Sequence, residues 1–359
     1  MNKKAIKRKA VYQALSTIED PDRGHDIIRL GAVSDVVIDD RSIAFKLNIS
    51  QPGSIFSQNV EKLCKEAIQA RFGDHVDVRI HLIHSKGPAK KLQLGARHMI
   101  AIASGKGGVG KSTIATNIAA ALADDGYKTG LVDTDIYGPS VPVMFGLAGE
   151  KPRVNDQRKI VPITKHGVHV LSMGLLVDDS EAVIWRGPMV SSAVRQFLND
   201  AEWGDLDFLL LDLPPGTGDI QLTIVQTVNL AGAIIASTPQ KVALTDARKG
   251  LVMFEKVNVP VLGIIENMAW FSPPDLPDRK YFLFGDGGAS SLASETGIPL
   301  LGRIPLEEPL RVSGDEGMPI VLSSPSSVSA QAFRSIASQI VVSLSQRKTA
   351  PSSPLIEYQ

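Results

Sequence analysis

At 359 residues the chain is too long for one ordinary hydrophobic core and suits two domains. Its 43% hydrophobic and 21% charged content is that of a globular protein, and 38 Lys+Arg balance 38 Asp+Glu, so whole-chain charge argues for neither a nucleic-acid nor a membrane partner. No apolar run reaches the roughly 18 residues of a membrane span, and the basic start (Lys3, Lys4, Lys7, Arg8, Lys9) is not followed by the apolar stretch of a secretory signal.

Residues 1–84 predict a small α+β domain. A helix over Ala5 to Ile18 leads through Asp20-Pro21 to strands Val33–Ile38 and Ser42–Ile49, joined at Asp39-Asp40. The loop Gln51-Pro52-Gly53-Ser54, a helix over Phe56 to Phe72 and a strand over Val76 to Leu82 complete it. The second helix carries the chain's one cysteine, Cys64, in a setting that reads as small and buried rather than reactive. A single cysteine excludes an internal disulfide and is consistent with a cytoplasmic protein.

Residues 85–96 read as a linker, since Ser85-Lys86-Gly87-Pro88 is polar, breaker-rich and aperiodic. From 97 to 345 apolar strands (Ile100–Ala103, Thr129–Val132, Val168–Ser172, Phe208–Leu211, Ala233–Ser237, Val261–Ile265) alternate with helical stretches. That pattern predicts an α/β domain with a mostly parallel sheet and helices on both faces. Phe333 to Leu344 reads as a core-packing helix, and residues 346–359, with Pro351 and Pro354, are expected to be a disordered tail.

The stretch Gly105-Lys106-Gly107-Gly108-Val109-Gly110-Lys111-Ser112-Thr113 sits between a strand and the helical Ile114 to Ala123. This is the strand, glycine loop and helix context of a phosphate-binding loop, in which free backbone N–H groups wrap a phosphate chain at a helix N-terminus. Lys111 is placed to reach the β- and γ-phosphates of ATP, and the Ser112 hydroxyl to ligate Mg²⁺. Lys106 adds a second lysine, and the loop resembles the deviant Walker A loop of the nitrogenase iron protein and of septum-positioning, partition and cluster-assembly ATPases. In that class the extra lysine reaches across a dimer to the partner's phosphates; the alternative for Lys106 is a solvated surface lysine.

Two further elements supply carboxylates. Asp133-Thr134-Asp135 ends the second strand, where ligands bind in open α/β sheets. Asp135 is assigned to the attacking water and Asp133 to the metal side, the alternative being that both cap the Ile136-to-Ser140 turn. Leu209-Leu210-Leu211-Asp212 has the form of a Walker B strand, so Asp212 is a third candidate for holding Mg²⁺. Glycines in the following Pro214-to-Asp219 run suit a switch whose backbone N–H senses the γ-phosphate. Asn267, just past a strand, and Arg303-Ile304-Pro305 are candidate base contacts, with ordinary loop roles equally open and GTP not excluded. His166 and His169 lie in a strand pattern with no further ligand nearby and read as ordinary histidines.

Taken together these stretches, with Trp185-Arg186-Gly187-Pro188-Met189, Asp212-to-Asp219 and Phe284-to-Gly288, resemble the Mrp/ApbC/Nbp35 group of P-loop ATPases. Residues 1–84 resemble the MIP18-type domain fused ahead of bacterial members, through Asp20-Pro21 and Asn48-to-Gly53. The resemblance implies a homodimer that hydrolyses ATP slowly and ferries iron–sulfur clusters to apoproteins or exchanges them with assembly factors. It also implies a bridging Cys-x-x-Cys shortly after Asn267-Met268. Here Pro273 and Leu276 occupy those positions, and Ser54 replaces the cysteine common in the small domain, so cluster ligands are not evident. Two other readings stand beside the carrier: a cluster-free, ATP-switched adaptor, and a partition or positioning ATPase.

Overall fold

The computed structural model describes residues 8–21, 25–39, 42–49, 55–84, 91, 92, 94–136, 138–176 and 187–349. Expectations that fall on residues 1–7, the loop 51–54, linker residues 85–90, Tyr137, Trp185-Arg186 and the tail from 350 onward lie outside these. The chain divides into two units, one of residues 1–91 with 185–193 and one of the remainder.

The smaller unit contains helix α1 (Arg8–Leu15), strands β1 (Val33–Ile38) and β2 (Ser42–Ile49), helix α2 (Ile55–Phe72) and strand β3 (Asp77–His84). The sheet order is β1-β2-β3, antiparallel between the first two and parallel between the last two. Alternation on β2 buries Ile43, Phe45, Leu47 and Ile49. On α2, Val60, Cys64 and Ile68 recur every fourth residue and face the same core. The expected first helix ends early, at Leu15, because Ser16 and Thr17 turn their hydroxyls onto the carbonyls of Gln13 and Ala14 instead of continuing it.

In the larger unit eight strands form one sheet: β4 (Ala96–Ser104), β5 (Thr129–Asp133), β6 (Ile163–Lys165), β7 (Val168–Ser172), β8 (Leu206–Asp212), β9 (Gly232–Ser237), β10 (Val261–Glu266) and β11 (Leu300–Arg303). Their order is β6-β7-β5-β8-β4-β9-β10-β11, parallel throughout except the edge pair β6–β7. Strands β6 and β11 are too short, at three and four residues, for the apolar-run pattern to reveal them.

Helices α3 (Lys111–Asp124), α4 (Asp219–Thr227), α5 (Lys241–Lys256), α6 (Gly288–Thr296) and α7 (Val328–Thr349) flank the sheet. The connections β4–α3–β5 and β8–α4–β9 leave in opposite directions along the sheet, so right-handed crossovers put α3 and α4 on opposite faces. A crevice at the C-terminal end of β4 follows from that reversal, and ligands of such folds bind there. Ile114, Ile118 and Leu122 of α3 pack with Phe333, Ile336 and Ile340 of α7, all fully buried. Each such side chain contributes about 1.5–3 kcal/mol, which makes this layer the rigid support of the sheet's upper end. Helix α7 runs to Thr349, past residue 345, since neither glycine nor proline interrupts it before Pro351.

Candidate functional site

Strand β4 ends at Ser104, whose hydroxyl donates to Lys106 O at 2.9 Å and starts the turn of the loop. Gly105 is required by crowding: a Cβ there would lie 2.2 Å from the Asp246 carbonyl carbon on α5. Gly107 and Gly108 face open space, with nothing within 4 Å of an added Cβ, which leaves their side of the loop clear for a ligand. Val109 is 2% exposed and anchors the loop in the core. Gly110 precedes α3 at φ +81, a left-handed conformation that an L side chain resists. Thr113 O accepts hydrogen bonds from Thr116 and Asn117 one turn on, so the first turn of α3 is stitched from its own side chains.

Lys111 is 6% exposed, and its Nζ stands 2.6 Å from Asp212 Oδ1 and 3.2 Å from Ser112 Oγ. Asp212 is fully buried at the end of β8, the neighbouring Ser112 side chain helps to hold its carboxyl down, and among the described residues its Oδ2 has no hydrogen-bond partner. Thr134 fixes the same strand end, donating through both N–H and hydroxyl to Asp212 O at 3.0 and 2.9 Å. Asp133 lies beside it on β5, paired in register with Asp212. Its Oδ1 accepts from Asp135 N at 3.0 Å, and its Oδ2 from Val141 N at 3.3 Å and Ser172 Oγ at 3.0 Å. Burial pushes the Asp133 carboxyl up to about 7, with the Asp212 charge adding to the rise. Burial raises Asp212 as well, against the pull of Lys111 and Ser112. Asp135 is 8% exposed just past β5, close enough for its charge to raise the Asp212 carboxyl.

The fit to Mg²⁺ is therefore uneven among the expected ligands. Asp212 offers a buried, unpartnered carboxylate oxygen next to the Ser112 hydroxyl, a hard-oxygen set of the kind Mg²⁺ shares with phosphates. Both Asp133 oxygens are already engaged, so it fits poorly as a direct ligand. Gly216, in the expected switch, has φ +97 and donates its N–H to Ser104 O at 3.0 Å. Lys106 is half-buried, its Nζ 3.5 Å from Gln240 Oε1.

The expected base contacts sit deeper than sequence position suggested. Asn267 is 5% exposed and donates its amide to Val109 O at 2.9 Å, while Pro305 is buried beside Ile304. Arg303 Nε pairs with the fully buried Glu266 Oε1 at 2.7 Å, and its guanidinium lies 5.6 Å from the Trp270 ring. The other Glu266 oxygen accepts from Ala289 N in the first turn of α6. Ser172, Thr134 and Glu266 were not singled out in the sequence. A charged residue closing an apolar strand was a usable sign for Glu266; Ser172 meets Asp133 only through strand pairing. His166 Nε2 lies 3.0 Å from Gly317 O and His169 Nδ1 3.1 Å from Thr164 Oγ1, each engaged locally.

Beyond Asn267 the chain forms a loop closed by Phe271 and Tyr281, which exchange main-chain hydrogen bonds of 2.9 and 2.8 Å. Within it Leu276 N donates to Pro273 O at 3.0 Å, and Leu276 points to solvent. Cys64 is fully buried, and burial, aided by the Glu61 charge, pushes its thiol up to about 12. Among the described residues no three His, Cys, Asp or Glu side chains gather as a metal-holding group.

The family model described as NUBPL iron-transfer P-loop NTPase matches residues 95–341, and one described as iron-sulfur cluster assembly protein matches residues 8–81. The iron-sulfur cluster carrier protein of Synechocystis sp. is 45% identical over 338 residues, 92% of this chain and 96% of that one. Among solved structures, a nucleotide-binding protein from Archaeoglobus fulgidus in complex with ADP matches with a TM-score of 0.56 and 39% identity, over 62% of this chain and 87% of its own. The cell division ATPase MinD of Pyrococcus furiosus matches with a TM-score of 0.52 and 25% identity, over 68% of this chain and 98% of its own. With its phosphate loop, Walker B strand and most of its length so matched, the chain belongs to the NUBPL iron-transfer P-loop NTPase family.

Proposed function

We propose that this chain is a slow ATPase of iron–sulfur cluster assembly, working as a homodimer whose nucleotide state governs delivery of a cluster to apoproteins. The observation that carries the reading is the convergence of Lys111, Ser112 and Asp212 at the end of β4 and β8, in a chain whose two matched segments are described by iron transfer and by iron–sulfur cluster assembly. ATP hydrolysis requires positioning and charge stabilisation more than covalent chemistry.

Each residue then has a task. Main-chain N–H groups of the loop from Gly105 to Thr113 bind the phosphate chain at the N-terminus of α3. Lys111 transfers its ammonium from Asp212 to the phosphates. Ser112 and Asp212 hold Mg²⁺, which when bound neutralises charge on the transferring phosphoryl group. Asp133 braces that corner by accepting hydrogen bonds from Asp135 N, Val141 N and Ser172 Oγ, and Asp135 orients the attacking water. Lys106 reaches the partner's phosphates across the dimer. Gly216 releases Ser104 O and turns its N–H to the γ-phosphate, moving the start of α4 with it. Asn267 and Pro305 flank the base, with adenine preferred. Residues 1–84 act as the recognition domain, 85–96 as linker and 97–345 as the ATPase domain.

A second reading is favoured by the loop itself. Pro273 and Leu276 stand where thiolates are needed and Cys64 is a buried thiol, so a cluster bridged by this chain's own cysteines does not fit. Either partners supply thiolates for a transient cargo, or the chain is a cluster-free adaptor. Anaerobic loading with iron and sulfide in the presence of added thiol, glutathione or a cysteine-bearing apoprotein, read by iron content and visible absorbance, separates these: a cluster retained by the chain supports the carrier, and its absence, with ATP turnover intact, supports the adaptor. A partition or positioning role is set aside, because the match over residues 8–81 accounts for the small unit.

A further inference from the structure

Asn267 directly follows β10, and its main-chain N–H donates to Ser237 O on β9 at 2.8 Å. Its amide Nδ2 donates to Val109 O, in the phosphate loop, at 2.9 Å, with both residues at most 5% exposed. The next residue, Met268, has φ +56, a left-handed conformation that a non-glycine residue keeps where its surroundings over-determine it. They do so here, because Ala269 N donates to Ile304 O at 2.9 Å on the far side. From the loop's side, Gly110 leaves the room for the amide: a Cβ there would stand 2.1 Å from Asn267 Nδ2. Strand end, loop carbonyl and glycine thus interlock around one side-chain amide.

We propose that Asn267 is a positioning residue for the phosphates: by holding Val109 O it sets the curvature of the Gly107–Gly110 segment, independently of any base it touches. The inference rests on the loop being the triphosphate site. Three glycines in four residues give this segment many conformations, and a ligand that must select one binds more weakly than a ligand meeting a pre-formed cradle. One buried hydrogen bond to the loop's central carbonyl removes much of that freedom. Without it Val109 O is buried and unpaired in the binding-competent shape, so the loop departs from it.

A base reader and a loop strut differ in what a base-free ligand feels. Titration calorimetry of Mg·ATP, Mg·GTP and Mg·tripolyphosphate would be run on wild type, Asn267→Ala, Asn267→Asp and Lys111→Ala, each well below its own melting temperature. The strut predicts that both Asn267 variants weaken all three ligands by a similar factor, about tenfold for one buried hydrogen bond. Asn267→Asp keeps the size but turns a carboxylate oxygen toward a carbonyl, so it is affected even if Asn267→Ala fails to fold. Unchanged tripolyphosphate affinity alongside weakened ATP overturns the proposal in favour of a base contact, and no weakening of any ligand overturns it outright. Tripolyphosphate bound as tightly by Lys111→Ala as by wild type would instead sink the phosphate-loop reading itself.

Discussion

Lys111 and Asp212, 101 residues apart in the chain, form an ion pair of 2.6 Å at 6% and 0% exposure. Neither charge is supportable there alone, because the burial that strengthens the pair also makes each unpaired partner costly. Under the proposed function a magnesium–triphosphate complex would supply a new partner to each, a phosphate for Lys111 and a cation for Asp212, so that binding would be an exchange of partners within the site.

Lys111→Met removes the charge while keeping the methylene stem. Losing one partner of a buried pair costs about 3–5 kcal/mol, so chemical denaturation should show a loss of that order together with loss of ATP turnover. Adding Asp212→Asn should regain most of the stability and none of the turnover. A double variant as unstable as the single one would show that the pair does not carry the effect.

Asp135→Ala tests the assignment of the attacking water. Asp135 is not among the groups proposed to hold the phosphates or Mg²⁺, so nucleotide binding should stay within a few-fold of wild type. Loss of a positioned general base typically slows turnover by about 10²–10⁴-fold. Equal losses in ATP affinity and in turnover would count against the role.

Gly105→Ala should be severe even though alanine is the smallest change. Its Cβ would lie 2.2 Å from the Asp246 carbonyl carbon, and backbone on α5 cannot give way as a flexible side-chain end does. Overpacking of this kind costs about 1–3 kcal/mol and displaces the loop from α5. Thermal melting and ATP titration should both register it, whereas Gly107→Ala, which meets nothing within 4 Å, should spare the melting temperature.

The raised Asp133 carboxyl gives stability a pH dependence of definite sign. Burial lifts it from 3.8 to about 7, so across that window the native chain binds a proton that the unfolded chain releases. Its contribution is fully present below the unfolded value and is lost as pH rises toward about 7. Asp133→Asn should flatten the fall in denaturation midpoint between about pH 4 and about pH 7. A slope unchanged by that substitution would assign the effect to other groups.

Local chemistry settled a good deal from the chain alone. Buried parallel strands declare themselves as continuous apolar runs, and a loop that must wrap phosphate needs glycines at fixed spacing ahead of a helix. The strands over Ile100–Ala103, Thr129–Val132 and Phe208–Leu211 and the loop between Gly105 and Thr113 were legible for that reason, whereas the departure at Pro273 and Leu276 came from the resemblance to a family. What the sequence could not carry was adjacency across the sheet. Strand order β5-β8-β4 sets Asp133 beside Asp212 and brings Lys111 to it, while β7 delivers Ser172 to Asp133. Asn267 became a contact of Val109 because β10 lies two strands from β4, a distance fixed by crossover handedness and packing. Residue types and short spacings are written into the chain; burial, pairing and the resulting shifts in acidity exist only once distant strands are stacked side by side.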